Sequence, residues 1–318
     1  MNSNITDNLI CPSCRVPTLD LAVESRNGQI LEGSLRCSDC HVVYSITGGV
    51  PRLVRREDLV VSPTKAFGFQ WGRWLTGAFE QDQIYGSDFE KETKEFHDYV
   101  GLSREELRSK RVLDAGCGSG RLTRYLGTLG CEVVGMDVHS ALSDVLSHCK
   151  DQHLVNIVQG SILKPPLKEE TFDLVWSEGV IHHTGDTPGA FDQLARLVKP
   201  GGRLFVWVYW DEELNIYRRV RNTLRLGHKL PMPVLFGLCY TLATLLYAGA
   251  FVRGLPGSLT RRRKITPLRL HAFRLFDHIS PEHNTQHSEA EVRGWFEKNG
   301  FVNVQRVADL GVRGDRPA

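Results

Sequence analysis

A chain of 318 residues is long enough for one large domain and one small one. Its 41% hydrophobic and 24% charged content are ordinary for a globular protein, and no repeat or low-complexity tract interrupts it. Thirty-nine Lys and Arg against 37 Asp and Glu leave a net charge of +2, which removes any global-charge argument for nucleic acid, DNA included.

The first eight residues are polar and lack the basic-then-apolar run of a secretory signal, so the expected compartment is the cytoplasm. Residues 1–60 form a short, turn-rich segment holding Cys11-Pro-Ser-Cys14 and Cys37-Ser-Asp-Cys40, with 22 residues between the pairs. Two residues between cysteines let one tight turn aim both sulfurs at a point, and two such turns complete a tetrahedral thiolate site. Four sulfurs leave no open position, so the expected zinc is structural. It would supply folding energy that so short a segment cannot draw from its own core.

Residues 61–110 read as a linker and helical lid, with Phe67, Phe69, Trp71 and Trp74 followed by a charged helical stretch to Leu107. Trp71 and Gln70 are the lid residues expected to reach a bound cofactor, with buried packing of the aromatic set against the sheet as the alternative. Residues 111–210 alternate apolar runs with helical patterns. Val112–Ala115, Glu132–Met136, Val155–Val158, Phe172–Trp176 and Arg203–Val208 are predicted strands, in the rhythm of parallel βα units.

Residues 211–275 break that rhythm. Met232 to Val252 carries no formal charge, long enough to span a membrane on length alone, but Pro233, Gly237, Thr241, Thr244 and Gly249 argue against a span. Basic residues flank it: Arg218, Arg219, Arg221, Arg225 and Lys229 before, Arg253 and Arg261 to Lys264 after. The favoured reading is a helical cap that admits a hydrophobic or lipid-linked substrate. Peripheral attachment to an anionic membrane through 230–264 is the second reading. Residues 276–318 complete the core with a helix from Ser288 to Lys298, stopped by Asn299-Gly300, and a strand Phe301–Val307.

The central motif is Val112-Leu-Asp-Ala-Gly-Cys-Gly-Ser-Gly120, a strand running into a glycine loop and then a helix. Gly116, Gly118 and Gly120 let the backbone turn sharply and approach a ligand, and the helix N-terminus offers free N–H groups. A dinucleotide fingerprint wants glycine where this chain has Arg121, which disfavours a buried pyrophosphate. Asp137 ends the next strand, 21 residues after Gly116, where an acid accepts two hydrogen bonds from ribose hydroxyls.

An Asp two residues before the first glycine resembles motif I of the class I S-adenosylmethionine (SAM)-dependent methyltransferases, of the type 11-like group. Phe172 to His183 and the turn Val198-Lys-Pro-Gly-Gly-Arg-Leu-Phe-Val206 are similar to further features of that family. The cysteine pairs with Tyr44-Ser-Ile-Thr-Gly-Gly-Val-Pro-Arg-Leu53 resemble the Trm112-like zinc ribbon fused to many bacterial methyltransferases.

The resemblance implies an α/β, Rossmann-like sheet of seven strands in the order 3-2-1-4-5-7-6, the seventh a stub because only about ten residues follow Val307. It implies SAM as methyl donor. The loop of Gly116, Cys117, Gly118 and Gly120 would cradle the methionine portion, and Asp114 would position its ammonium. Asp137 and Val138 would take the ribose, and Ser161 and Ile162 the adenine. The family usually has Asp where Ser161 stands, so the usual carboxylate to the adenine amino group is missing. Ser177, at the end of the fourth core strand, is also expected beside the cofactor.

His182 and His183 follow that strand and are the candidate bases, with Glu178 as rival. A scaffold role beneath the cofactor is the alternative for the histidine pair. Asp277, His283 and His287 are expected to border the acceptor pocket. The leading function is methyl transfer to O, N or C of a small-molecule or lipid-linked acceptor. RNA methylation and a non-catalytic partner subunit are the two alternatives; a nearly neutral chain without a basic-aromatic ribbon surface argues against RNA.

Overall fold

The computed structural model describes residues 3–26, 29–55, 62–76, 83–84, 87–211, 229–252, 268–307 and 311–318. The chain opens with a 3-10 turn (Ser3–Asn8) and the cysteine-bearing hairpins β1 (Leu19–Arg26), β2 (Gln29–Cys37), β3 (Val43–Thr47) and β4 (Val50–Leu53). Helix α1 (Ser62–Leu75), a two-stranded ribbon β5 (Gln83–Ile84) and β6 (Ser87–Asp88), α2 (Phe89–Val100) and the single turn α3 (Arg104–Leu107) lead into the core.

The core then alternates: β7 (Arg111–Ala115), α4 (Arg121–Thr128), β8 (Glu132–Asp137), α5 (Leu142–His148), β9 (Val155–Gly160), β10 (Phe172–Glu178), α6 (Thr187–Leu197) and β11 (Val198–Trp207). Helices α7 (Met232–Val252), α8 (Leu268–Ile279) and α9 (Glu289–Lys298) and strands β12 (Val302–Val307) and β13 (Gly311–Asp315) complete the chain.

The five strands from β7 to β11 are parallel, and β7 to β10 are buried over most of their length, as expected where crossover helices cover both faces of a sheet. All six residues of β9 are buried. The core order is β9-β8-β7-β10-β11-β13-β12, which is the expected 3-2-1-4-5-7-6. The seventh strand is not a stub. β13 has five residues and lies between β11 and β12, antiparallel to both, with Arg203 opposite Asp315 and Val206 opposite Val312. Arg203 and Asp315 also form an ion pair at 2.6 Å across that register.

The last strand of the ribbon joins the core sheet. β4 lies parallel to β9, with Arg52 opposite Gln159 and Leu53 opposite Gly160, so one sheet of 11 strands runs from β1 to β12. The cause is local: the β9 edge offers unpaired backbone groups, and an adjoining strand satisfies them. Arg52 reinforces the joint by donating to Ser143 Oγ at 2.7 Å, and Leu9 of the ribbon bridges Leu167 of the core.

Three helices, α1 from the expected lid with α7 and α8, pack together as a cap. Leu235, Cys239 and Ala243 of α7 pack on Ala272, Leu275, Phe276 and Ile279 of α8, with Phe69 of α1 against them. Trp74, Leu270 and Phe273, with Trp71, join α1 to α8. The flanks 212–228 and 253–267, including most of the basic residues noted above, lie outside the described residues.

Candidate active site

Beneath the cap, at the carboxyl ends of the parallel strands, lies a cavity of about 700 Å³. Its floor is the loop after β7. Gly116 and Gly118 both have positive φ, 89° and 50°, a conformation that a Cβ strains. A side chain at 116 would strike Val180, and one at 118 would meet the Trp71 ring at 2.9 Å. Trp71 therefore lies directly over the loop, held by edge contacts with Trp74 and Phe273 at 6.5 and 6.0 Å.

Asp137, at the end of β8, lines the cavity. Its Oδ2 accepts from Gly118 N at 2.9 Å, and its Oδ1 accepts from Val138 N at 2.7 Å. Oδ1 also accepts from His139 N at 3.3 Å, which leaves Oδ2 with the second lone pair that can accept from a ligand hydroxyl. Asp114 accepts from Thr123 Oγ1 at 2.6 Å; burial, then the nearby Asp137 charge, push its pKa up to about 6. Cys117 lines the floor as a buried thiol held well above its ordinary pKa by burial, then by Asp137 and Asp114. Val138, Ser161 and Ile162 line one end of the cavity.

The opposite end is acidic. Glu178 presents its surface to the cavity; the surrounding fold, then Glu92, Asp114 and Glu95, push its pKa up to about 7. Glu92 pairs with Arg121 at 2.8 Å, and the Arg121 guanidinium lies over the Phe89 ring at 5.6 Å. Glu92, Glu95, Phe96 and Tyr99 form one wall. Sequence reading missed this wall, yet their spacing of three, four and seven residues is that of one helix face.

The two adjacent histidines part company. His183 lines the cavity beside Phe67, ring centroids 5.2 Å apart, and its Nδ1 lies 3.0 Å from the carbonyl oxygen of His283. A carbonyl only accepts, so Nδ1 carries the proton and, in the neutral ring, Nε2 carries the lone pair. His182 is not among the lining residues. It is wholly buried between His183 and Tyr209, centroids 4.1 and 4.2 Å away, with neither ring nitrogen hydrogen-bonded. Burial, then the neighbouring His183, drive its pKa well below the ordinary range, so it is a neutral packing residue and not an exposed base.

Asp277 lines the cavity and ties the cap to its base: it accepts from Gln70 Nε2 at 2.8 Å and from Tyr209 Oη at 3.4 Å. Gln70 is thus a buried partner of Asp277 and is not among the lining residues. His283 lines the cavity and packs over Gly185. His287 does not: its backbone N donates to Tyr209 O, its Nε2 lies 3.0 Å from Thr285 Oγ1, and its ring abuts Trp295. It fixes the start of α9, where Ser288 and Glu291 form a capping box. Ser177 also faces away, its Oγ donating to Ala115 O at 3.0 Å and stitching β10 to β7. Gly120 lies behind the floor against Val145, as the turn into α4.

The four cysteines of the ribbon converge, their sulfurs within 4.8 Å of one another. Cys11 to Cys40 is 3.6 Å and Cys14 to Cys37 is 3.5 Å. A tetrahedron with zinc–sulfur bonds of about 2.3 Å has edges of about 3.8 Å, so the donor set fits zinc. The Tyr44 hydroxyl lies 3.3 Å from Cys11 Sγ and 2.9 Å from Ser13 Oγ.

Residues 113–206 match the family model described as "Methyltransferase domain". The chain carries a methyltransferase domain. It is similar to a malonyl-[acyl-carrier protein] O-methyltransferase of Enterobacter lignolyticus, 38% identical over 98 residues, covering 30% of this chain and 38% of the relative. It is also similar to a sterol 24-C-methyltransferase of Saccharomyces cerevisiae, 26% identical over 179 residues, covering 53% and 46%. Among solved structures, magnesium protoporphyrin IX methyltransferase from Synechocystis PCC 6803 superposes with a TM-score of 0.49 at 16% identity, over 82% of this chain and 99% of that one. The chain spans about half or less of the length of the curated relatives it matches. Outside the methyltransferase domain, the ribbon and the cap have their own contacts with the cavity or the sheet and are not part of the matched segment.

Proposed function

We propose that the chain transfers a methyl group from SAM to a small, apolar or lipid-linked acceptor. The observation that carries this reading is a glycine floor of positive φ, where a side chain would be strained and would clash, lining one cavity with the strand-end carboxylates Asp114 and Asp137. When bound there, SAM supplies a methyl group already activated as a sulfonium.

The residues divide the remaining work. Asp137 is the ribose acceptor, with Val138 beside it. Ser161 and Ile162 flank the base. Asp114 and Glu178 make that region favourable for a cation, and Cys117 contributes only bulk. Trp71 closes the floor from above, in reach of a sulfonium. Alignment is the main contribution, able to lower a barrier by about 7–11 kcal/mol.

His183 takes the acceptor's proton at Nε2, because its Nδ1–H is committed to His283 O. His182 is the scaffold for that ring. Phe67, Phe89, Phe96, Tyr99, Trp207 and Tyr209 give the acceptor region an apolar lining, with Asp277 and His283 at its border. The relatives named above, a malonyl-[acyl-carrier protein] O-methyltransferase and a sterol 24-C-methyltransferase, agree with such an acceptor. Zinc in the ribbon is structural in this reading, and the ribbon is of the Trm112-like kind.

Calorimetry of the full chain with SAM and with S-adenosylhomocysteine tests the donor site; no heat from a folded sample ends the reading. Tritium transfer from labelled SAM into a lipid extract, a polar metabolite extract and total RNA then separates the acceptor classes. Label found only in RNA overturns the acceptor assignment.

A further inference from the structure

Among the described side chains of helix α7, the exposed polar ones are Thr241 and Thr244, whose hydroxyls donate back to the Gly237 and Tyr240 carbonyls. Leu235, Cys239 and Ala243 are buried on one side, but Val234, Leu238 and Leu245 on the other are 51%, 53% and 64% exposed, with Tyr240 and Leu246 beside them. The helix contains no charged residue at all. Such a helix is ordinarily covered on both sides, and a contiguous apolar stripe of this kind marks a contact surface.

The surrounding charge says what covers it. The helices packed against α7 bring Lys65, Arg73, Arg269 and Arg274, and a single carboxylate, Asp277, which is buried and already bonded to Gln70 and Tyr209. Lys65, Arg73 and Arg269 are exposed, as is Lys229 just before the helix. The sequence continues the pattern: residues 214–264 hold ten Lys and Arg and no Asp or Glu. An apolar strip set among cations matches the cross-section of an anionic bilayer surface, where acyl chains take the leucines and headgroup phosphates take the cations. No helix among the described residues is long and apolar enough to cross a membrane, so the contact lies along the surface.

We propose that the outer face of α7 seats the cap on an anionic lipid bilayer. This surface is independent of the methyl-transfer reading, since none of the exposed apolar residues of α7 lines the cavity. It does orient the molecule: α8 carries Arg274, Asp277 and His278 into the cavity wall while its partner α7 rests on lipid.

The test is co-sedimentation of the full, zinc-loaded chain with phosphatidylcholine vesicles and with equimolar phosphatidylcholine–phosphatidylglycerol vesicles. Binding to the anionic vesicles is expected to be at least about tenfold stronger, and to weaken severalfold at about 0.5 M salt. The double variant Leu238→Asp, Leu245→Asp is expected to lose about tenfold or more of that binding, with an unchanged melting curve because both side chains face outward. Equal recovery of wild type and double variant overturns the proposal. So does failure to bind either vesicle. A dimer in the ultracentrifuge that the double variant splits, without vesicle binding, assigns the face to a second copy of the chain instead.

Discussion

His183 Nδ1 donates to the main-chain oxygen of His283, a bond of 3.0 Å that joins the end of β10 to the segment following α8. It fixes both the ring's orientation and its tautomer, which is the condition for a base at Nε2. Replacing His183 by Ala is expected to lower kcat about 10²–10⁴-fold with an acceptor that loses a proton, leaving the SAM Kd within about threefold. Single-turnover methyl transfer and calorimetry check the two halves; an unchanged kcat removes the base role.

His182 predicts the opposite behaviour. A neutral, buried imidazole with no hydrogen bond gives up nothing polar when replaced by Phe, which keeps an aromatic ring against Tyr209 and Trp207. His182→Phe is expected to keep the thermal midpoint within a few degrees or raise it, and to keep kcat within about threefold. A collapse of kcat with an intact fold would falsify the division of roles between the two rings.

Gly116→Ala is expected to weaken SAM binding by at least about tenfold, because the new Cβ meets Val180 at a backbone conformation that costs an L-residue about 1–2 kcal/mol. Trp71→Ala removes the cover above Gly118 and is expected to weaken binding while leaving zinc content unchanged. Titration calorimetry on both variants, with zinc measured by mass spectrometry, is the check.

The raised carboxyls give a pH dependence with a definite sign. Asp114, at about 6, and Glu178, at about 7, hold protons in the native state that the unfolded chain releases near pH 4. The native state binds more protons in that window, so their contribution to stability falls as pH rises from about 4 to 7 and is level above it. Ionising them also favours a cation in the cavity, so SAM binding is expected to tighten across about pH 6 to 7. Asp173, Asp192 and Asp315, lowered by their Lys, Arg and Asn partners against the opposing effect of burial, act with the opposite sign, but below about pH 4. Glu178→Gln is expected to flatten the upper part of the affinity profile; a profile identical to wild type rejects Glu178 as its source.

Removing metal is expected to unfold the ribbon hairpins. Cys14→Ser, or a strong chelator, should lower the thermal midpoint by several degrees, since each kcal/mol is worth about 2–4 °C in a chain of this size. Differential scanning fluorimetry with a zinc assay checks it; a stable, metal-free chain with the same midpoint would show the four sulfurs to be idle.

Much of this is legible in the amino-acid sequence. The glycine loop, the acid at the end of β8 and the paired cysteines are each specified by short spacings that admit few geometries. What the spacing did not resolve is direction. Ser177 and Glu178 are neighbours on one strand, so they must point to opposite faces; one stitches the sheet and the other meets the cavity. His182 and His183 sit in a 3-10 turn, where consecutive side chains diverge by about a third of a turn, so only one of the pair reaches the cavity. The α2 wall escaped notice because its charged residues read as a solvated face. Only the aromatic partners at the same helical phase, Phe96 and Tyr99, mark that face as turned inward. The join between β4 and β9 depends on two backbones meeting edge to edge, which no side-chain pattern records.

That join has a consequence for quality control. In the 11-stranded sheet every strand between the two ends has neighbours on both sides, so the sheet's margins are β1, within the cysteine-bearing hairpins, and β12. A molecule made when metal is scarce would bare the flank of β9, whose six residues are shielded on both faces but hydrogen-bonded on one side through β4. Such a flank recruits other chains. Metal-starved preparations should therefore be lost to insoluble aggregates, even though the reaction chamber itself contains no zinc ligand.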